Sequence, residues 1–391
     1  MVVETAAALS PPERRAVATL AVIYAVRMLG LFLLLPVLAL YAGAMPGGTP
    51  LMAGFAVGAY GLAQALMQIP FGVWSDRLGR KPLIVTGLLL HIGGSALGYF
   101  AASAWALVAA RTVQGLGAVS GPVMALLADR TRAASRTRAM AFIGISIGIS
   151  FVVSLVGGPL LAGAIGVSCI FALIGGLGAL ALGLIVFAVP AEAARVAGQG
   201  RKPWRSVLTR RLLPHYAGIF VLHLSLTATF IAVPHALRDT HGIAAAQHWE
   251  FYLAVFAASL SLTVPLLLWS ERSAKPVRAV VSGGLLMAVA QGALALVYQD
   301  LVSMAVALLI FFGAFNFLEA RLPSSLTQAA GEEARGAALG VFSTCQFAGA
   351  FAGGLLGGGL LGTAVGIPAV FLMACLIAAA WAVVAGRSET P

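Results

Sequence analysis

The sequence predicts an all-α, polytopic membrane protein of twelve transmembrane helices in two six-helix pseudo-repeats. Three observations predict it. The composition is apolar and nearly stripped of charge, apolar runs of bilayer length alternate with connectors that are basic at every second turn, and a motif of the first half returns in the second.

Of 391 residues, 60% are hydrophobic, 9% are charged and 46 are glycine. Soluble domains are roughly 45–50% apolar and about 25% charged, so a soluble globular chain is excluded. Glycine at this density suits membrane helices, where small residues let backbones approach closely. The net charge of +11 does not mark a nucleic-acid partner, because the basic residues form no face and fall in short clusters between apolar runs. Membrane lipids are the expected surroundings. Cys169, Cys345 and Cys375 lie inside apolar runs without CxxC spacing and read as small buried hydrophobes. The mixed-charge start "MVVETAAALSPPERRA" precedes an apolar run too long for a signal sequence, so no cleaved leader is expected.

A bilayer span needs about 20 mostly apolar residues. That rule places spans at 16–43, 51–73, 83–102, 105–128, 139–163, 167–189, 214–237, 249–270, 279–298, 301–322, 336–360 and 367–386. The domain reading follows: a tail at 1–15, a six-helix bundle at 16–189, a linker at 190–213, a second bundle at 214–386 and a tail at 387–391. The linker, with its basic residues and Trp204, reads equally as a membrane-surface segment or a solvated connection. Lys and Arg gather before the first span, after the second, fourth and eighth, in the linker, around 321–335 and at Arg387; Arg238 is the exception on the other side. By the positive-inside rule both termini and the linker are expected in the cytoplasm.

The repeat is read from "WSDRLGRKP" at Trp74, which returns as "WSERSAKP" at Trp269. Likewise Arg138 with "AMAFIG" and "GGPLLAG" is echoed by Arg335 with "GAALGV" and "GGLLGGG". Two echoes in the same order match a parallel repeat of six helices.

These residues resemble the major facilitator superfamily. Gly72, Asp76, Arg77, Gly79, Arg80 and Lys81 in "GVWSDRLGRK" fit its Gly-x-x-x-Asp-Arg-x-Gly-Arg-Lys loop, and Arg111, Gln114 and Gly115 in "LVAARTVQGLGAVSG" fit its Arg-x-x-Gln-Gly helix. Gly158, Pro159 and Gly163 resemble the antiporter helix-packing pattern, although Ala162 stands where that pattern has a glycine. "RRAVATLAVIYAVRMLGLFLLLPVLALY", "MALLADRTR" and "FFGAFNFLEARLPS" are similar to YajR-type transporters of the drug:proton antiporter-like group, from about residue 11 to 385. Such chains can continue into a small soluble C-terminal domain; this sequence stops at "GRSETP", and nothing of that domain is carried over.

The resemblance implies an inner-membrane secondary transporter, without cofactor, that exports a small molecule by alternating access as an antiporter with protons as coupling ion. A monomer is expected. It also implies a latch: Asp76 would face the N-terminus of the helix beginning near Gly336, a favourable place for an anion, and Arg77 would pair with Asp129. Arg80 and Lys81 belong to the same loop, or serve only as topology markers.

Ionisable groups at bilayer depth cost about 2.5–3.5 kcal/mol on insertion scales and mark function. Arg27 in "AVRMLGLF" reads as a cavity residue or a snorkelling one; Arg111 with Gln114 reads as part of proton coupling, by resemblance, or as a structural clamp. Glu319 is the lone carboxylate in the interior of the second-half spans, Glu250 standing at the very start of 249–270, and a carboxylate withdrawn from water can bind and release a proton near neutral pH. Its bland alternative is an interfacial residue paired with Arg321. His223 is a candidate to share that cavity, His91 reads as structural, and Asn316 as a cavity liner. His235, His241 and His248 with Asp239 and Glu250 match no compact ligand spacing, so no metal is expected. There is no phosphate-binding GxxxxGK[ST], no HExxH and no nucleophile triad. An enzyme is therefore disfavoured, and the alternatives that stay open are a uniporter, a proton symporter or a transporter-like sensor without flux.

Overall fold

The computed structural model describes residues 9–189, 204–273, 276–331 and 334–387. Among them are thirteen α-helices and no strand. In chain order they are α1 (Pro11–Phe32), α2 (Leu38–Ala44), α3 (Pro50–Leu78), α4 (Arg80–Tyr99), α5 (Ala104–Leu116), α6 (Ser120–Asp129), α7 (Ala133–Gly183), α8 (Leu213–His235), α9 (His248–Arg272), α10 (Pro276–Val297), α11 (Leu301–Ala330), α12 (Arg335–Leu361) and α13 (Ile367–Arg387). Most of the linker, 190–203, lies outside the described residues.

Ten of these helices are long and apolar enough to cross a membrane. Three departures from regular helix reconcile the thirteen helices with twelve passes. The first pass breaks at 33–37, where Pro36 lacks an N–H and separates α1 from α2. The fourth breaks at 117–119 between α5 and α6. The fifth and sixth are joined within α7 by Gly166 alone, at φ 81° and ψ 156°, a conformation that only glycine adopts without strain.

Each half packs on its own core. The second half is centred on Phe230, Phe311, Phe312, Phe317 and Phe371, all at most 1% exposed. The first half divides its core between a cluster around Leu34, Ile170 and Phe171 and another around Leu20, Ile84 and Leu126. Trp74 and Trp269 occupy equivalent places near the ends of α3 and α9. Each is about half exposed and each is followed by a buried serine, Ser75 or Ser270. The repeated motif is thus a repeated structure.

The halves meet chiefly along α3 and α12. A β-carbon on Gly54 would lie 2.1 Å from the Gly354 carbonyl oxygen, one on Gly58 2.9 Å from that of Phe351, and one on Gly61 2.7 Å from that of Phe347. Gly72 shares this face of α3 at helical spacing, as Gly340 and Gly336 share the facing side of α12. Around those three there is nothing within 4 Å. The two helices therefore touch backbone to backbone at the end of the bundle remote from Arg77 and Arg335 and splay apart at the basic end. At the same remote end α7 approaches the start of α9, where a β-carbon on Gly163 would meet Ala246 at 2.5 Å. The result is a cleft between the halves, open at the basic end.

Candidate functional site

The break after α5 has a chemical consequence. With the helix interrupted, the carbonyl of Gly117 is free to accept 2.6 Å from Arg27 Nη2, which also donates to Gln64 Oε1 at 2.7 Å; Nη1 lies 3.5 Å from Ser120 Oγ. Arg111 Nη1 donates to Gln114 Oε1 at 2.9 Å, Gln114 Nε2 to Ser95 Oγ at 2.8 Å, and Ser95 Oγ to the His91 carbonyl at 2.7 Å. Both guanidinium groups lie against the Tyr60 ring, 5.8 Å from its centroid for Arg27 and 4.8 Å for Arg111.

Arg27 is 1% exposed and Arg111 2%. Neither lines the cleft, and neither snorkels. They are a charge store inside the first half, reaching the seam through Tyr60, whose ring packs edge-on to Phe347 of α12 at 6.4 Å. His91, expected to be structural, is buried with both ring nitrogens unpartnered, packed where β-carbons on Gly30 and Gly178 would crowd it.

Across the cleft the second half presents the opposite charge. Glu319 lies mid-helix in α11, which runs to Ala330 rather than stopping near 322, so the residue sits deeper than its predicted span implied. Its side chain is 41% exposed, yet Oε2 is buried without a hydrogen-bond partner, 3.9 Å from His223 Nε2 on α8. No ion pair joins it to Arg321. His223 Nδ1 is 3.3 Å from the Ile219 carbonyl, and Gln346 Nε2 of α12 approaches His223 Nε2 at 2.8 Å. Phe315 stacks edge-on to the imidazole at 5.9 Å. Tyr24 of α1 lies within electrostatic reach of both Arg27 and Glu319. Glu319 therefore faces the inner surface between the halves. Asn316, one turn earlier, holds its Nδ2 buried and unpartnered.

At the basic end the expected latch is assembled differently. Gly79, at φ 97°, makes the turn between α3 and α4. Arg80 rather than Arg77 is the hub: its side chain is 3% exposed, it pairs with Asp76, and its Nε lies 3.6 Å from Asp129 Oδ2. Arg80 also donates to Ser75 Oγ at 2.5 Å. Arg77 is exposed. The physical reason is spacing. Asp76 and Arg80 are four residues apart across the turn, so the later arginine folds back over the carboxylate, whereas Arg77 points outward. Lys81 Nζ donates to the carbonyls of Val186 and Val189 at 2.9 and 2.7 Å, where a cation complements the end of the sixth pass. Nothing lies within 4 Å of where a β-carbon on Gly336 would stand, so Asp76 is not seated at that glycine near the start of α12.

Gly158 brings α7 against the break of the first pass, where a β-carbon would lie 2.5 Å from the Leu33 carbonyl oxygen; Pro159 follows it in the helix, and Gly163 makes the cross-half approach already described. One acid escaped the sequence reading. Glu13, 5% exposed, accepts from Arg132 N, Nε and Nη2, Ser135 Oγ and Ser10 N, tying the start of α1 to the turn before α7. Ser10 with Glu13 three residues on, after a Pro pair, is a capping-box signal that was there to be read. The three histidines between 235 and 248 each bond one backbone carbonyl, His235 to Ile231, His241 to Tyr298 and His248 to Ile243; among the described residues no His/Cys/Asp/Glu group could hold a metal ion.

Comparison with known proteins agrees with this architecture. The chain is 39% identical over 388 residues to the inner membrane transport protein YajR of Escherichia coli K12, covering 98% of this chain and 85% of that one. It is 28% identical over 268 residues to the multidrug resistance protein MdtH of Yersinia enterocolitica, covering 66% and 65%. Among solved structures, a bacterial homologue of the human lysosomal transporter Spinster, in an inward-facing and occupied conformation, superposes with a TM-score of 0.77 at 16% identity over 97% of this chain and 98% of that one. The nucleoside transporter NupG gives 0.75 at 13% over 96% and 100%. The pattern of the Major Facilitator Superfamily matches residues 20–233 and 215–390. With two six-helix halves, a cleft between them and that match across nearly the whole chain, the protein belongs to the Major Facilitator Superfamily.

Proposed function

We propose that the protein is a proton-coupled antiporter of the bacterial inner membrane that exports small amphipathic molecules. The observation that carries this reading is Glu319: a carboxylate half-open to the cleft, with one oxygen buried beside His223 and no Lys or Arg among the described residues paired to it. A group so placed exchanges a proton for a positively charged part of a substrate, while Phe315 and its neighbours offer an apolar wall. The similarity to an inner membrane transport protein and to a multidrug resistance protein supports both the location and the outward direction.

By the positive-inside rule the basic end is cytoplasmic, so the described state faces the cytoplasm. In the alternate state the basic end closes, and Asp76, already held by Arg80 beside Asp129, reaches the N-terminus of α12, where the helix dipole favours an anion. A ligand shifts such an equilibrium only by its differential affinity for the two states. Proton and substrate, competing for Glu319, supply that difference from the two sides of the membrane.

The test is flux of a lipophilic cationic dye in proteoliposomes under an imposed pH gradient. The wild type should drive dye against its gradient in step with ΔpH, and Glu319→Gln should lose that drive. A rate indifferent to ΔpH would replace antiport by uniport, and dye binding without flux would point to a sensor.

A further inference from the structure

The pair that carries the proton has a third member. Gln346 is the side chain that meets His223 Nε2, at 2.8 Å, while Nδ1 is held by the Ile219 carbonyl at 3.3 Å. With Nδ1–H donating to that carbonyl, Nε2 is the acceptor and the Gln346 amide N–H the donor, so the described geometry belongs to a neutral imidazole. When the ring takes a proton, Nε2–H becomes a donor. An amide carries both a donor and an acceptor at nearly the same reach. A half-turn about its last torsion puts Oε1 where Nε2 stood, and the contact survives with its sense reversed.

We propose that Gln346 is the positioning residue of the proton site: it donates to neutral His223, accepts from protonated His223, and so lets the imidazole share Glu319's proton without leaving its place. This rests on the proton-coupled reading above and deepens it.

The surroundings narrow the choice of partner. From α11, Glu319 is the charged group that acts on the ring, and Phe315 covers an edge. On α8 the ring bonds Ile219, and from α12 comes Gln346. From the other half Tyr24 and Arg27 do not bear on the imidazole, although Tyr24 lies within electrostatic reach of Glu319. Gln346 is therefore the neutral group that can follow a change of charge on His223. It also precedes Phe347, which packs on Tyr60 between α12 and α3 and, through that ring, meets Arg27 and Arg111. The amide thus stands at the junction of the proton site and the seam between the halves.

The test follows the titration of His223 directly, in nanodiscs, by NMR of protein carrying labelled histidine, with His223→Asn identifying the signal. A hydrogen bond to a charged group is stronger than one to a neutral group by an amount equivalent to about one pH unit. Gln346→Met, which fills the space and bonds neither form, should lower the His223 midpoint by about that much. Gln346→Glu, which accepts but does not donate when ionised, should raise it. Opposite shifts are the signature, since a packing defect moves both variants alike or neither. Midpoints within a few tenths of a unit of wild type in both variants would overturn the proposal. The underlying reading fails separately: if Gln346 moves the midpoint as stated but Glu319→Gln leaves ΔpH-driven dye flux intact, the amide tunes His223 and proton coupling lies elsewhere.

Discussion

Gly54→Ala should turn the transporter away from its described state. The added methyl would lie 2.1 Å from the Gly354 carbonyl oxygen and 2.8 Å from the Gly358 Cα, against the 3.4 Å at which ordinary contact begins. Backbone faces backbone here, so no side chain can swing aside, and α3 and α12 must part by about 1.3 Å, the shortfall between those distances. Overpacking of this kind costs about 1–3 kcal/mol, and it falls only on the state in which this end is shut. The population should move toward the opposite state by roughly 5- to 150-fold. With Cys169, Cys345 and Cys375 replaced, spin labels at Leu78 and Gly336 report the basic end and labels at Leu51 and Val365 the other. The first pair should draw together and the second separate. Gly72→Ala is the control, because it lies on the same face of α3 with nothing within 4 Å. Unchanged distances in folded Gly54→Ala protein, or an equal change in Gly72→Ala, would refute the argument that the seam sets the resting state.

Two further outcomes concern the basic end. Asp76→Asn should express normally yet slow dye flux and hold the basic end open, because the neutral amide loses both its pair with Arg80 and its attraction to the α12 N-terminus; thiol accessibility at Gly336→Cys reports the opening. Glu13→Gln should lower the unfolding temperature while leaving the ΔpH dependence of flux unchanged, since it unties α1 from Arg132 and Ser135 without touching the cleft. That is checked by thermal unfolding alongside the flux assay.

Much of this was legible before any coordinates. Hydropathy found all twelve passes and the basic clusters found one end, because bilayer length and the absence of charge are properties of composition. The repeat was legible too, down to Trp74 and Trp269. What hydropathy could not report was backbone. A window scores 16–43 as one run whether or not Pro36 breaks it, and it cannot see that the break after Leu116 frees a carbonyl for Arg27. It divides 139–189 in two but gives no sign that a single glycine makes the turn.

Partner choice was the other gap. Arg77 and Arg80 are both candidates for Asp129 in one dimension; the turn at Gly79 decides for Arg80. Arg27 and Arg111 stand out in one dimension as charges at bilayer depth, and burial places them behind Tyr60 rather than in the cleft. Gln346 carried no signal beyond its polarity. Its meaning arises only when α8 and α12 bring it to His223.

The central claim is that flux requires the α3–α12 seam to open and close. A β-carbon on Gly359 would lie 3.7 Å from Leu51 Cδ1 across that seam, so Leu51→Cys with Gly359→Cys, in a background free of native cysteines, can be joined by a short reducible cross-link. The measurement is ΔpH-driven dye flux before linking, after linking and after reduction. The account predicts that linking stops flux and reduction restores it. Flux that continues at the unlinked rate with the seam locked shut would contradict it.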